Sequence, residues 1–428
     1  MIKPHKSESG QAIVLIVLII TGLFALTALA IDGSYAFADR RQAQNAADAA
    51  VLAAAMNYAQ NPALTNDDLA NIALSKANSN GYNGIAPRST VHLSIFPKAD
   101  TDCPDAPDGY IFQVDINSNL PTSFGQVIGV PEINNQVNSK ALGCAAYYEN
   151  MYDGNTLAVR NKTACKALTL SGTSTLLLSS STGQGIYVFS NCNDPSGGVQ
   201  NALYGAGGTV VSPSVNVVGG AYGASNFLPT IVNTNVPLIK DNYVWPAITD
   251  AICGSTAIEN PSGTLNPGIY PGTNPAWAGK TFPPSGITQL APGMYCLDTN
   301  FKSTNSVSLT GIDVTIVQRA GIVSIQGGII NISAVNSTPY AGLLIYVPTF
   351  NTGGSVTING GSTSAYSGTI LAPNGSVSIN GGGAVSGPFQ TQVVADTISI
   401  GGGGTLNLSF DSTTQYRPPV SAVIQLIK

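Results

Sequence analysis

Three copies of one phrase decide how the long C-terminal part of this chain folds: GSVTINGG at 354–361, GSVSINGG at 375–382 and DTISIGGG at 396–403. They begin 21 residues apart twice, 375 − 354 and 396 − 375. Val356, Val377 and Ile398 fall in one rank and Ile358, Ile379 and Ile400 in another, with Ser or Thr between them. Successive side chains of a strand point to opposite faces, so each copy sends its aliphatics one way and its hydroxyls the other. A fixed period near 20 with stacked aliphatics is what a parallel β-solenoid requires: no coil buries its face alone, and stacking makes a continuous core. A β-sandwich with evenly spaced strands is the alternative architecture. An imperfect copy, IVSIQGG at 322–328, and the runs GLLIYVP (342–348) and GTILAP (368–373) extend the pattern over a repeat region at 301–415.

Upstream, ALTLSGTSTLLLSSS (167–181), GQGIYVFS (183–190) and VSPSVNVVGG (211–220) alternate short β-branched runs with Gly and Asn turns. They define a first β-rich block at 147–225. Between the blocks, 226–300 is less periodic and Pro-rich, holds Trp245 and Trp277, and reads as a β connection or insert. The last residues, 416–428, are too short to span a membrane and read as a tail or as a cap on the last coil.

The N-terminal end is different in kind. No ionisable side chain occurs from Gln11 to Ile31, and about 20 apolar residues suffice to cross a bilayer core. The direct reading is a transmembrane helix at 11–31 behind a cytoplasmic tail at 1–10. A cleaved secretory signal is the competing reading, with Lys3 and Lys6 as its basic start and Ala28-Leu29-Ala30 as its cleavage site. The apolar run exceeds the 7–15 residues typical of a signal core. All six cysteines, Cys103, Cys144, Cys165, Cys192, Cys253 and Cys296, follow the apolar segment. An even number in a Gly/Ser/Thr/Asn-rich region suits an oxidising compartment, which places the bulk of the chain outside. Pairing of sequence neighbours, Cys103–Cys144, Cys165–Cys192 and Cys253–Cys296, is one of 15 connectivities; buried free thiols are the other reading.

Beyond the apolar segment, Ala at 43, 46, 47, 49, 50, 53, 54 and 55 favours continuation of the helix, with a bend marked by Gly33. Its small residues suit close packing, either on a partner or on the chain's own domain. Thr65 and Asn66 signal a second helix ending at Asn80-Gly81; strands follow at 91–96 and 110–116, a short helix at 123–129 and a last strand at 132–142. Together they make a small α+β unit at 32–146.

Several of these residues carry a resemblance. Glu8 and Gly10 before the apolar helix, Asp32 and Gly33 at its exit, then Arg40, Arg41, Gln44, Ala46, Ala47 and Asp48 resemble the TadE/TadG-like proteins of Tad (Flp) pilus assembly. Pro121 to Val130 is similar to that family as well. The resemblance implies a single-pass, pilin-like envelope protein of a secretion and adhesion machine, with other pilus or secretion subunits as partners and no enzymatic role. Two departures stand beside it. Gly10 is followed by Gln11, and the fifth residue after Gly10 is Leu15 where true type IV prepilins have Glu. The D-x-S-x-S metal site of some TadG relatives is not met by Asp32-Gly33-Ser34-Tyr35-Ala36.

Composition narrows the chemistry. Charged residues are 9% of the 428, against about 25% for an ordinary soluble domain, while 43% hydrophobic residues supply a core. A net charge of −5 gives no reason to expect nucleic acid. Gly279-Lys280-Thr281 lacks the preceding Gly of a phosphate loop, no G-x-S-x-G elbow occurs, and His92 is the single histidine beyond the apolar segment. Asp100, Asp102, Asp105 and Asp108 cluster without EF-hand spacing and read as a solvated loop. No catalytic, cofactor or metal residues are therefore assigned. The expectation is a structural or adhesive protein in contact with the bilayer; a glycan-active enzyme, or a carbohydrate- or Ca²⁺-binding module on the β repeats, is the alternative.

Overall fold

With no proline between Gln11 and Gln60 and a high share of Ala and Leu, nothing interrupts helix propagation. The computed structural model, which describes residues 9–98, 109–228, 231–254, 263–270, 279–304, 306–359, 364–382 and 389–427, has a single helix α1 over Ser9–Gln60. It runs through Gly33 without the break that residue suggests, and its 52 residues correspond to roughly 78 Å. Glu8, Cys103, Trp277 and the aspartates at 100, 102, 105 and 108 lie outside the described residues.

The chain divides into two units. The first comprises the residues up to Tyr147 and those from Pro419 on. In it, helix α2 (Asn66–Ser79) starts at a capping box: Thr65 Oγ1 accepts the Asp68 N–H at 3.2 Å, and the Asp68 carboxylate accepts the Thr65 N–H at 3.0 Å. Strands β1 (Ser89–Pro97), β2 (Gly109–Pro121) and β3 (Glu132–Cys144) form an antiparallel meander. Ala43, Ala46, Ala47, Ala50, Ala54 and Ala55 of α1 are fully buried in one cluster with Phe112, Val114 and Ile116 of β2. The small-residue stripe thus serves the chain's own domain. Gly143 permits the close approach, because a Cβ there would lie 2.8 Å from the Phe112 ring and 3.2 Å from the Ala55 carbonyl.

The C-terminal residues correct the expectation of a tail or coil cap. Val423–Ile427 forms a fourth strand, antiparallel to β3, with Lys140 opposite Ile427 and Cys144 opposite Val423. The apolar run VIQLI takes the free edge of β3, which otherwise exposes a row of unpaired N–H and C=O groups. The first unit is therefore closed by both ends of the chain.

The second unit, Tyr148–Pro418, is mainly β. Among its described residues from Leu157 to Phe410, every strand pairing is parallel. The repeat ranks meet in register: Val356 pairs with Val377 and Val377 with Ile398, Ile358 with Ile379 and Ile379 with Ile400. All six are buried. The imperfect copy joins at Val323 to Val356 and Ile325 to Ile358.

The last repeat is not the end of the stack. Ile398 and Ile400 pair onward with Leu168 and Leu170, and Thr405–Phe410 lies in register with Thr175–Ser180. The blocks at 147–225 and 301–415 thus share one hydrophobic core. Chain order and spatial order differ: from Leu157 the strands step away to Val232–Thr234, and the chain resumes at the opposite end near Thr264. Nine pairings separate Val232–Thr234 from Gly268–Tyr270, about 43 Å at ~4.8 Å per spacing.

Within 226–300, strands up to Thr234 and from Thr264 on belong to the stack, and the stretch between them makes that return. Its described part contributes Tyr243 and Cys253, with Ile239, Trp245 and Ile248 partly buried, to a cluster holding Tyr187, Phe189, Tyr346, Leu371 and Val394. Asp241 accepts from Arg160 at 3.0 Å, Lys162 at 3.1 Å and the Tyr152 hydroxyl at 2.9 Å, and the Arg160 guanidinium lies 4.7 Å from the Trp245 ring centroid. At the other end, Arg319 holds Asp298 and Asp250. Disulfides Cys165–Cys192 and Cys253–Cys296 span 27 and 43 residues, closures that restrict the unfolded chain by about 4 kcal/mol each on the loop-entropy account. Cys144 is disulfide-bonded too; Cys103 lies outside the described residues.

Candidate functional site

Of the residues quoted for the family resemblance, Gly10 and those from Asp32 to Asp48 lie on α1, where Asp32, Gln44, Ala46 and Ala47 fix a membrane-length helix to a folded sheet. Ile13–Gln60 contains a window apolar enough to cross a membrane, and none of that window is buried within the protein. Burial begins at Asp32. From there Asp32, Asp39, Ala43, Ala47, Ala50 and Ala54 follow at three-, four- or seven-residue steps, which places them along one face.

Asp32 is buried. Its carboxylate accepts the backbone N–H groups of Ser123 at 2.9 Å, Phe124 at 3.0 Å and Gly125 at 2.7 Å. Removal from water pushes the carboxyl up, but the N–H groups of Ser123, Gly125 and Phe124 outweigh it and hold the group below the usual carboxylate range. The loop receiving it is shaped for the purpose. Thr122 Oγ1 donates to the Val130 carbonyl at 2.6 Å across its neck. Gly125 is required there, since a Cβ would lie 2.8 Å from the Val130 carbonyl and 2.9 Å from Thr122 Oγ1. A short 3₁₀ turn, Gly125–Ile128, follows and ends at Gly129 with φ 88°.

Two turns along, Asp39 makes a second attachment. Its carboxylate accepts from the Tyr82 hydroxyl at 2.9 Å, Ser118 at 3.1 Å and Asn135 at 2.7 Å, so it ties α1 to β2, β3 and the turn after α2. Asn135 also donates to the Ala36 carbonyl at 2.9 Å. Asp39 is not among the residues that the family resemblance singles out; its position seven residues after Asp32, heading an alanine stripe, is the signal that marks it. A third attachment is Gln44, whose amide donates to Asp48 at 2.9 Å and to the Asn138 carbonyl at 3.0 Å.

The other motif residues behave differently. Gly10 sits in the first turn of α1. Gly33 is exposed with open space where a side chain would go, and Arg40 and Arg41 are exposed. The disulfide cysteines of the second unit take no part. Among the described residues no cluster of three His, Cys, Asp or Glu is placed to hold a metal ion. The arrangement is a mechanical joint, with every oxygen of Asp32 and Asp39 occupied by donors from the sheet side.

Beside the Asp32 joint lies an apolar cavity of about 190 Å³, bounded by Ala25, Ala28 and Leu29 of the helix and by Phe124, Val130 and Ile133 of the loop and β3.

Comparison with known proteins returned no match among curated proteins and none among solved structures. Residues 10–57, which run from the first turn of α1 through the apolar segment and all three attachments, match the family model described as Tad, putative Flp pilus-assembly TadE/G-like, and in this segment the chain is similar to that family.

Proposed function

We propose that this chain is a membrane-anchored structural protein of Tad-type pilus assembly or surface adhesion, with its N-terminus cytoplasmic and its β-rich unit presented outside the membrane. The observation that carries the reading is that the family-matched segment, 10–57, is the same helix that is apolar and unburied at its start and locked to a sheet further on. Asp32 and Asp39 hold a folded unit against the emerging helix, an arrangement suited to bearing load and serving no reaction. The disulfides of the second unit fit an oxidising compartment. We read that unit as a parallel β-solenoid, on the strength of aliphatic ranks stacked in register and sharing one core. Its role is to display surface to pilus subunits or to a surface carbohydrate, and no catalytic step is assigned to it.

The test is fractionation of native cells, with an antibody to the region after residue 150 applied to intact cells and to sheared filaments. Labelling of intact cells with co-purification in the filaments supports a pilus component. Signal confined to the membrane, with the N-terminal segment retained, supports an assembly factor at the base. A cytosolic pool would overturn both.

A further inference from the structure

We propose that the loop 122–131 is a second membrane-contacting element, seated in the interfacial layer of the bilayer beside the emerging helix. Three observations lead there. First, the loop is apolar and uncharged where it is exposed: Phe124 is 46% exposed, Val127 82% and Val130 46%, and no ionisable side chain occurs from Ile116 to Pro131.

Second, the loop lies level with the membrane segment. Phe124 and Val130 share the cavity walls with Ala25, Ala28 and Leu29, which precede Asp32 by about 5–10 Å along the helix axis. That matches the depth of about 5–10 Å at which interfacial segments bury their apolar faces. The exposed surface of the loop continues the unburied apolar surface of the helix, where Leu26 and Leu29 are likewise exposed.

Third, most of its backbone N–H groups are satisfied internally, as a low-polarity layer demands. Asp32 takes the N–H groups of Ser123, Phe124 and Gly125. Thr122 bonds to Pro131, Val127 to Phe124, Gly129 to Gln126 and Val130 to Gly125 within the loop. The occupant of this face is lipid, acyl chain against Phe124, Val127 and Val130, and the cavity beside Asp32 takes an acyl methylene run. The Asp32 joint then fixes the height and rotation of the first unit on the membrane, which a single helix leaves free.

The proposal rests on α1 being membrane-inserted, and the test separates the two. The full chain carrying Val127→Cys, with a polarity-sensitive label, is reconstituted in phosphatidylcholine/phosphatidylglycerol vesicles with and without brominated acyl chains. Val127 is almost wholly exposed and no described cysteine is free, so the label is site-specific and leaves the core alone. Ile19→Cys reports insertion of the helix, and Ser75→Cys on α2 reports the aqueous side. The expected result is blue-shifted, bromine-quenched emission at 127 and 19, with neither at 75. Quenching at 19 without quenching at 127 overturns the proposal while the membrane span stands. A shift at 127 that follows protein density and ignores bromination assigns the face to a second copy and also overturns it. Failure of quenching at both 19 and 127 removes the span and the proposal together.

Discussion

Asp32 joins helix to loop through one carboxylate. Its three backbone donors come from consecutive residues of a loop about ninety positions away, so Asp32→Asn removes the charge and replaces one acceptor oxygen by a donor facing an N–H. The expected outcome is faster hydrogen exchange at Ser123 to Gly125, and new protease cleavage in that loop, with α2 unaffected. Acid acts similarly. Because the folded carboxyl titrates below its ordinary value, the joint is at full strength above the unfolded carboxyl range and is lost as pH falls through the lowered value; exchange at the same amides followed from neutral to acidic pH checks the sign. The repeat ranks give a residue-scale prediction of another kind. Ile379 is buried between Ile358 and Ile400, so Ile379→Ala lowers stability by about 2–5 kcal/mol. Ser376→Ala, on the exposed face, changes it by less than about 0.5 kcal/mol. Thermal melts of the two variants in detergent decide whether the alternation assigns the faces correctly. Asp32 is legible in the sequence as part of a motif, but its partners are not, because a carboxylate does not name the loop that will donate to it.

At the scale of elements, local chemistry is readable and long-range pairing is not. The Thr65 capping box, the stop at Asn80-Gly81 and the alternation at 91–96 and 110–116 are written in neighbouring residues, and the elements lie where those signals put them. Val423–Ile427 shows the limit. Its alternatives, tail, cap or edge strand, differ only in what it meets, and its partner β3 ends almost three hundred residues earlier. The pairing has a checkable consequence. Deletion of 421–428 removes the strand and strips roughly 2–5 kcal/mol of ladder hydrogen bonding from the first unit, at about 0.5–1.5 kcal/mol net per bond. It also reopens the edge of β3. Loss of exchange protection at Lys140 to Cys144, with concentration-dependent association on size exclusion, is the expected result. An unchanged β3 would mean the strand adds nothing to the unit it joins.

For the whole molecule, the period of 21 predicts the stacking of the repeats but not what lies beyond the last of them. Ile398, Ile400, Leu406 and Leu408 are a rank that water would meet if the stack ended there, and Leu168, Leu170, Leu176 and Leu178 of the first block cover it. That arrangement forces the rest of the topology. A stack entered at its middle must be traversed to one end, bridged back by a long strap, and refilled to the middle, which is why the stretch between Thr234 and Thr264 leaves the stack and is fastened by Asp241 and Cys253. It also brings the two ends of the β unit together: the Glu149 N–H donates to the Pro418 carbonyl at 3.2 Å. A unit whose ends meet can be inserted into a host without separating the host's own segments. Replacement of 149–417 by a short Gly/Ser linker is therefore expected to leave the first unit folded, with the Asp32 amides and the β3 edge as protected as in the full chain. The excised 148–418, expressed in an oxidising compartment, is expected to be soluble and to retain both disulfides. Should the linker variant lose protection at β3, the β unit would be a folding partner of its host, and the closure of the sheet by the C-terminal strand would depend on it.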